Sequence, residues 1–368
     1  MLMKILIQVG HPAQFHFYKN AVILWQAKGH KVRLLIKTKD VLENLAMESG
    51  LNYVIFEHKN YNKSSKIEML KMVSSRFFSY IKQMLTFRPD IIIGPDPILA
   101  KISRFYKSKF IAVAEDDYQI IKTLAYLLFP SADAIFAPKV CDYSPWQSKK
   151  VEYEGYMKLA YLHPKRFTAN RELIQPYLRD NNPYVLIRLV ALTAYHDEHI
   201  EGIDNTLLDR IISRFEGMGY SVYISSEKEL GERYRVYRLT SPVDLIHHIM
   251  AFASFLVCDS QSMAVEASML GIPSIRFNDF SGKIGVLEEL EHKYGLTYGI
   301  KTDQQERLFE KIDELLAMPN LREEFQHRRQ KMLDDKIDVT AFLVWFIENY
   351  PQSAKIMKEN PDYQFRFR

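Results

Sequence analysis

The sequence predicts an α/β protein built from two doubly wound parallel-sheet domains in tandem. Three observations carry this. At 368 residues the chain exceeds what one core usually organises. Short, β-rich apolar runs alternate with amphipathic stretches throughout, the pattern of parallel strands covered by helices on both faces. That rhythm breaks once, at "YEGYMKLAYLHPKRF" (153–167), where Gly155 and Pro164 mark an interdomain linker.

In the first half, "KILIQV" (4–9), "KVRLLI" (31–36), "NYVIF" (52–56), "DIIIG" (90–94), "FIAVA" (110–114) and "DAIFA" (133–137) read as strands. Helical patterns fall between them at 14–28, 40–49, 66–87, 97–107 and 118–129. In the second half the strands are 184–190, 221–225, "YRVYRL" at 234–239, 254–258, 273–277 and 296–300. Helices are expected near 200–217, 242–251, 261–270, 283–294 and 303–317, and 319–335 and 339–349 are helical without strands. The order disappears only in the final few residues. Open parallel sheets bind ligands beyond the carboxyl ends of their strands, so a cleft where two such edges face each other is the expected site.

The hydrophobic share of 47% and charged share of 26% are those of a soluble globular protein. Two cysteines, Cys141 and Cys258, in no redox or metal spacing, exclude a disulfide framework and fit a reducing compartment. "MLMKILIQVG" lacks signal-peptide features and no apolar run spans a bilayer, so a cytoplasmic protein is expected. Charge is uneven: residues 1–165 hold 24 Lys+Arg against 14 Asp+Glu. That surplus points to an anionic partner. No helix-turn-helix, zinc-finger or RNP signature supports nucleic acid, and an anionic lipid surface on the inner face of the membrane is the better candidate.

"CDSQSMAVEASMLGIPS" leaves the strand 254–258 on small polar residues. Asp259 or Ser260 caps a helix closed by Gly271 and Pro273. A helix N-terminus favours a phosphate, and Ser260, Gln261 and Ser262 add small donors. Glu266 lies one turn past Ser262, about 6 Å along the axis at 1.5 Å per residue, the step from a diphosphate to its ribose. The plain alternative is a capped helix with a solvated acid.

With "VGHPAQFHFYK" near the start and "RLVALTAYHDEHIEGI" at 188–203, this stretch resembles domain of unknown function 354, a family of predicted glycosyltransferases. That family is related to the GT-B enzymes, among them the peptidoglycan N-acetylglucosaminyl transferase, and to UDP-N-acetylglucosamine 2-epimerase. The resemblance implies a GT-B fold of two Rossmann-like domains, 1–160 on the acceptor side and 161–336 on the nucleotide-sugar side. It implies that 337–368 returns to the first domain. It implies further a nucleotide sugar, with UDP the expected nucleotide, as co-substrate, Glu266 on the donor ribose and the turn before it on the diphosphate.

The first loop is not G-x-G-x-x-G, which disfavours a dehydrogenase-type site. Gly10 makes the turn and His11 follows it. The resemblance implies a base there, and imidazole titrates suitably for one. His16 competes for the role, and Glu115, Asp116 and Asp117 are further candidates as base or as acceptor ligands. Each has a structural reading too: a hydrogen-bonded histidine, or acids capping the next helix. Arg188 suits a phosphate or a sugar carboxylate. His196 and Asp197 match the family motif and are expected near the sugar. With His199 they form no standard zinc pattern, and no metal is expected. Asn278, Asp279 and Lys283 occupy a loop expected to touch donor sugar or phosphate, or simply a surface loop. His247 and His248 read as a helix face near the nucleobase.

Retaining GT-B enzymes carry a second Glu eight residues after the first. Ser274 stands there, which favours inversion. The epimerase's arginine-bearing first loop is replaced by "GHPAQ". The expected function is transfer from a UDP-sugar to a sugar or lipid-linked acceptor in cell-surface polysaccharide or glycolipid assembly. The alternatives are a UDP-sugar epimerase and a non-catalytic sugar-nucleotide-binding protein. Finally, "YNKSSKIEMLKMVSSRFFSYIKQMLTFR" (61–88) sets Ile67, Leu70, Val73, Phe77, Ile81 and Leu85 at helical spacing among cations. It reads either as a core-packed helix with a basic outer face or as a membrane-surface patch.

Overall fold

A computed structural model describes residues 2–38, 42–57, 66–190, 202–227, 229–279 and 281–368. Its contacts divide the chain into two units, residues 1–161 with 336–368, and 162–335.

In the first unit the chain runs β1 (Lys4–Val9), α1 (Pro12–Ala27), β2 (Lys31–Lys37), α2 (Leu42–Glu48), β3 (Tyr53–Glu57) and α3 (Lys66–Thr86). It continues as β4 (Ile91–Ile93), α4 (Pro97–Ser103), β5 (Lys109–Val113), α5 (Lys122–Leu128), β6 (Ala134–Pro138), β7 (Lys150–Tyr153) and α6 (Leu159–Leu162). All strand pairs are parallel, in the order β3-β2-β1-β4-β5-β6-β7. Ile5, Ile7, Ile92, Ile111 and Phe136 are fully buried, as a sheet covered on both faces requires. The order turns back at β1. With right-handed crossovers, α1 and α2 therefore cover one face and α3, α4 and α5 the other.

In the second unit the elements are β8 (Tyr184–Leu189), α7 (Asn205–Glu216), β9 (Ser221–Ser226), α8 (Ile246–Phe252), β10 (Phe255–Cys258) and α9 (Gln261–Leu270). β11 (Ser274–Phe277), α10 (Gly285–Glu288), β12 (Tyr298–Ile300), α11 (Gln305–Leu316) and α12 (Leu321–Asp335) follow. Among the described residues the sheet has five parallel strands in the order β12-β11-β10-β8-β9.

After α12 the chain rejoins the first unit through α13 (Val339–Glu348) and α14 (Gln352–Glu359). α13 packs on α1, and Thr340 Oγ1 donates to Ala160 O at 2.7 Å. Phe342 stacks on Phe136, while Tyr363 stacks on Trp345 at 4.8 Å. The last residues, expected to be loose, thus form a 3₁₀ turn (Pro361–Phe367) on that aromatic cluster.

Three further expectations are corrected. The strand at 234–239 is a 3₁₀ helix, Glu232–Tyr237. The Tyr234 hydroxyl bonds Asn205 O and the Asp209 carboxylate, which winds the segment, and only Arg238 bridges to β9. The linker stretch begins inside a seventh strand, β7, whose Lys150 is buried with its ammonium donating to the carbonyls of Lys139 and Cys141. And the apolar residues of α3 do not all face the core. Tyr80, Met84 and Phe87 do, while Leu70, Val73, Phe77 and Leu85 are exposed.

Candidate functional site

The carboxyl edge of the second sheet collects the polar residues. β8 ends on Arg188, β9 on Ser225 and Glu227, β10 on Asp259 and Ser260, and β11 on Asn278 and Asp279. Several of these hold the edge together. Asp259 Oδ1 accepts from Val190 N at 2.8 Å, and Asn278 Nδ2 donates to Asp259 O at 3.2 Å, stapling the exits of β8, β10 and β11. Asp259 and Asn278 are both buried, and Asp259 raises the already buried Cys258 thiol, pushed up to about 12 mainly by desolvation. Asp279 accepts from the Thr302 hydroxyl at 2.7 Å. The structure therefore employs Asn278 and Asp279 in the frame. Lys283 is exposed and in no ion pair among the described residues. Arg188 donates to Ser225 Oγ at 2.9 Å and pairs with Glu227.

From β10 the chain turns directly into α9. Ser260 is the N-cap, in extended geometry (φ −97°, ψ 121°), and its hydroxyl accepts from Met263 N at 3.3 Å. Among the described residues the N–H groups of Gln261 and Ser262 meet no protein acceptor. Two donors and the positive end of the helix dipole are thus left unspent. The helix closes on Gly271, at φ +68°, where a Cβ would come within 2.6 Å of Gln326 Nε2. Gln326 and Arg329 of α12 donate to the last carbonyls of α9, fixing its axis.

Glu266 lies on the second turn of α9 and is only 7% exposed. Its Oε1 stands 3.2 Å from Nε2 of His247, a buried residue of α8. A buried carboxylate needs such a partner. His248, beside it, tilts against Phe167 at 4.8 Å between centroids, and burial lowers its pKa. The sequence places His247 on a helix face and does not show its pairing with Glu266. The signal was a histidine pair inside an otherwise apolar helix, but nothing local names the partner. Ser274 is fully buried in β11, bonded to Thr297 Oγ1 at 2.9 Å. His196 and Asp197 lie outside the described residues.

In the first unit Gly10 N donates to Gln14 Oε1 at 2.8 Å, and His11 is the N-cap of α1. His11 Nδ1 accepts from Ala13 N at 3.2 Å, so the neutral ring carries its proton on Nε2 and presents a donor. As a base at Nε2 it would have to move that proton to Nδ1 and release Ala13. His16 is half-buried against Tyr161, 5.3 Å between centroids. Two of the three acids after β5 hold the protein's own groups. Glu115 accepts from Met157 N and pairs with Lys158, while buried Asp117 accepts from Asp142 N at 2.6 Å. Asp116 is exposed.

Among the described residues no group of three His, Cys, Asp or Glu is arranged to hold a metal, and no helix is long and apolar enough to cross a membrane.

No protein-family model and no curated protein matches the sequence. Solved structures do match over nearly the whole chain. The Staphylococcus aureus MnaA–UDP co-structure is similar at 13% identity and a TM-score of 0.68, covering 96% of this chain and 98% of its own. UDP-GlcNAc 2-epimerase from Neisseria meningitidis, bound to UDP-GlcNAc, matches at 13% identity and a TM-score of 0.64, over 94% of this chain and 100% of its own. The spinosyn forosaminyltransferase SpnP matches at 15% identity and 0.63, over 95% and 100%. With two parallel-sheet α/β units joined by a returning C-terminal segment, the chain has the GT-B fold.

Proposed function

We propose that this chain is a nucleotide-sugar-dependent glycosyltransferase, inverting and UDP-dependent, acting in cell-surface polysaccharide or glycolipid assembly. One observation carries the reading: α9 begins with two unspent amides and holds, one turn on, a carboxylate that His247 keeps in place. A diphosphate on those amides leaves its ribose diol within reach of Glu266. Two of the similar structures hold UDP or UDP-GlcNAc, and a third is a forosaminyltransferase, which supports the same class of ligand.

In this reading the amides of residues 261–262, with Arg188 and Lys283, stabilise the charge that develops on the departing diphosphate. The acceptor hydroxyl attacks the anomeric carbon, the carbon–oxygen bond to the diphosphate breaks, and the hydroxyl proton passes to His11 or His16. Burial of Ser274 against Thr297 removes the place where a retaining enzyme's second acid would stand, which favours inversion.

The test is a thermal-shift screen with UDP-, GDP-, CMP- and dTDP-sugars, repeated on Glu266→Ala. A shift by one nucleotide class that Glu266→Ala abolishes supports the site, and no shift from any of the four refutes it. Product analysis with donor alone then separates the rivals. Conversion without acceptor means an epimerase, and binding without turnover under any acceptor means a carrier. Comparing His11→Gln with His16→Gln assigns the base.

A further inference from the structure

An ordinary surface helix turns its apolar stripe to the core. α3 leaves much of one exposed. Tyr80, Gln83 and Met84 are buried, as is Phe87 just past its end, with Arg76 tied to Glu57 and Asp96. Leu70, Val73, Phe77, Phe78 and Leu85 are between 39% and 69% exposed. At about 100° per residue Leu70, Phe77, Phe78 and Leu85 span an arc of roughly 100° beside Met84 and Tyr80. Lys71 and Lys82, both exposed, follow along one flank of that arc.

The stripe does not end at α3. α4 packs beside it and α5 beside α4, on the same side of the sheet. The turn after α4 holds Phe105 88% exposed, and α5 adds exposed Tyr126 and Leu127. Exposed Lys101, Arg104 and Lys107 surround Phe105, Lys122 opens α5, and Arg88 follows α3. None of these cations has an ion pair among the described residues. Glu68 is the one acid in the sequence of α3, α4, α5 and the turn 104–108.

Exposed aromatic and aliphatic side chains of this number mark an interaction surface. The charge decides the occupant. A second copy docking through the same face would set cation against cation, which a self-complementary contact cannot tolerate. A bilayer carrying anionic headgroups accepts both features, apolar side chains at the acyl boundary and ammonium groups among phosphates. We infer that the α3–α4–α5 face of the first unit docks on an anionic lipid surface, with Phe78 and Phe105 entering the acyl boundary. Lys71, Lys82 and the cations around Phe105 lie among the headgroups. This docking stands apart from the nucleotide-sugar reading, because its test requires no turnover.

The experiment uses the full chain with vesicles of phosphatidylcholine, alone or with about one-third phosphatidylglycerol. The chain is expected to sediment with the anionic vesicles at low salt, to be released at high salt and to ignore the neutral ones. Lys71→Glu/Lys82→Glu and Phe78→Ser/Phe105→Ser should each lower the partition coefficient about tenfold or more. All four positions are exposed, so melting should be unchanged. Phe105→Trp should show an emission blue-shift on anionic vesicles only. Failure of the unsubstituted chain to sediment at low salt overturns the inference, and so does either double variant binding as the parent does. A concentration-dependent dimer that Phe78→Ser/Phe105→Ser abolishes, without vesicle binding, assigns the face to a second copy instead.

Discussion

The two units treat the carboxyl edges of their sheets in opposite ways. In the first, Asp96 Oδ1 accepts from Ile98 N at 2.8 Å and Leu99 N at 3.1 Å, closing the start of α4. Its other oxygen takes the Tyr80 hydroxyl at 2.8 Å and pairs with Arg76, and Glu57 holds Arg76 and Lys37. In the second unit, Ser260 takes the amide of Met263 and leaves the first two of α9 open. Both edges concentrate positive backbone charge. The first supplies its own carboxylates and becomes a structural joint. The second turns Asp259 to Val190 N and Asp279 to Thr302, caps α9 with a neutral hydroxyl, and leaves that helix start available to an anion.

The largest effect expected from this contrast is on stability. Asp96→Ala removes the acceptor of two amides and a phenol, and it takes one of two acids from Arg76. It should cost about 3–4 kcal/mol in urea unfolding, as breaking a buried charged network does. The thermal shift by sugar nucleotide should survive. A loss below about 1 kcal/mol would erase the distinction between a closed and an open edge.

Glu266→Ala should do the reverse. Loss of a charged acceptor for two ribose hydroxyls is expected to weaken sugar-nucleotide binding about 30-fold, or about 2 kcal/mol, read by calorimetry. Stability should fall by about 1 kcal/mol, because His247 loses its partner. Equal affinity in parent and variant would make Glu266 a structural acid like Asp96. Ser260→Ala is milder, about 1 kcal/mol of stability for one lost cap, with affinity nearly unchanged because the two open amides remain.

This division also explains what could be read in the sequence. The apolar runs of β1 and β10 and the span from Ser260 to Gly271 are local signals, and the structure bears them out. What failed depends on distant partners. "KVEY" reads as polar because nothing nearby shows that Lys150 will be buried against two carbonyls. Three acids at 115–117 look alike whether they bind a ligand or staple a loop. The contacts of Asp117 and Glu115 with Asp142 N and Lys158, 25 and 43 residues away, are not legible there. The stripe of α3 has the spacing of a core face, yet Val73 and Phe77 are exposed where Tyr80 and Met84, seven residues further along the same face, are buried, because burial is set by what each turn packs against. His247 and Glu266 lie on separate helices, so their pairing is invisible in either one.

The smallest expected effect concerns how the first unit also closes itself at β7. Glu154, just past that strand, accepts from Lys139 at 2.6 Å and pairs with Lys336 of the returning segment at 3.5 Å. Its backbone N–H donates to Gln364 Oε1 at 2.6 Å. Burial pushes the Glu154 carboxyl up, but the two ammonium groups outweigh it and hold the group below the ordinary carboxylate range. A depressed folded value means that the stabilisation is fully present above the unfolded value, about 4.3. It is lost as pH falls through the lower folded value. Lys139 is half-exposed, so solvent screening keeps the contribution to about 1 kcal/mol or less. Glu154→Gln should therefore melt about 2–4 °C lower than the parent at neutral pH. The gap should close once pH falls well below the ordinary carboxylate range. A gap of the same size at the acid end would assign the effect to packing around β7 and the Gln364 contact. The returning segment would then be held by shape and neutral hydrogen bonds, and the first unit's reliance on its own carboxylates would be confined to the edge that Asp96 closes.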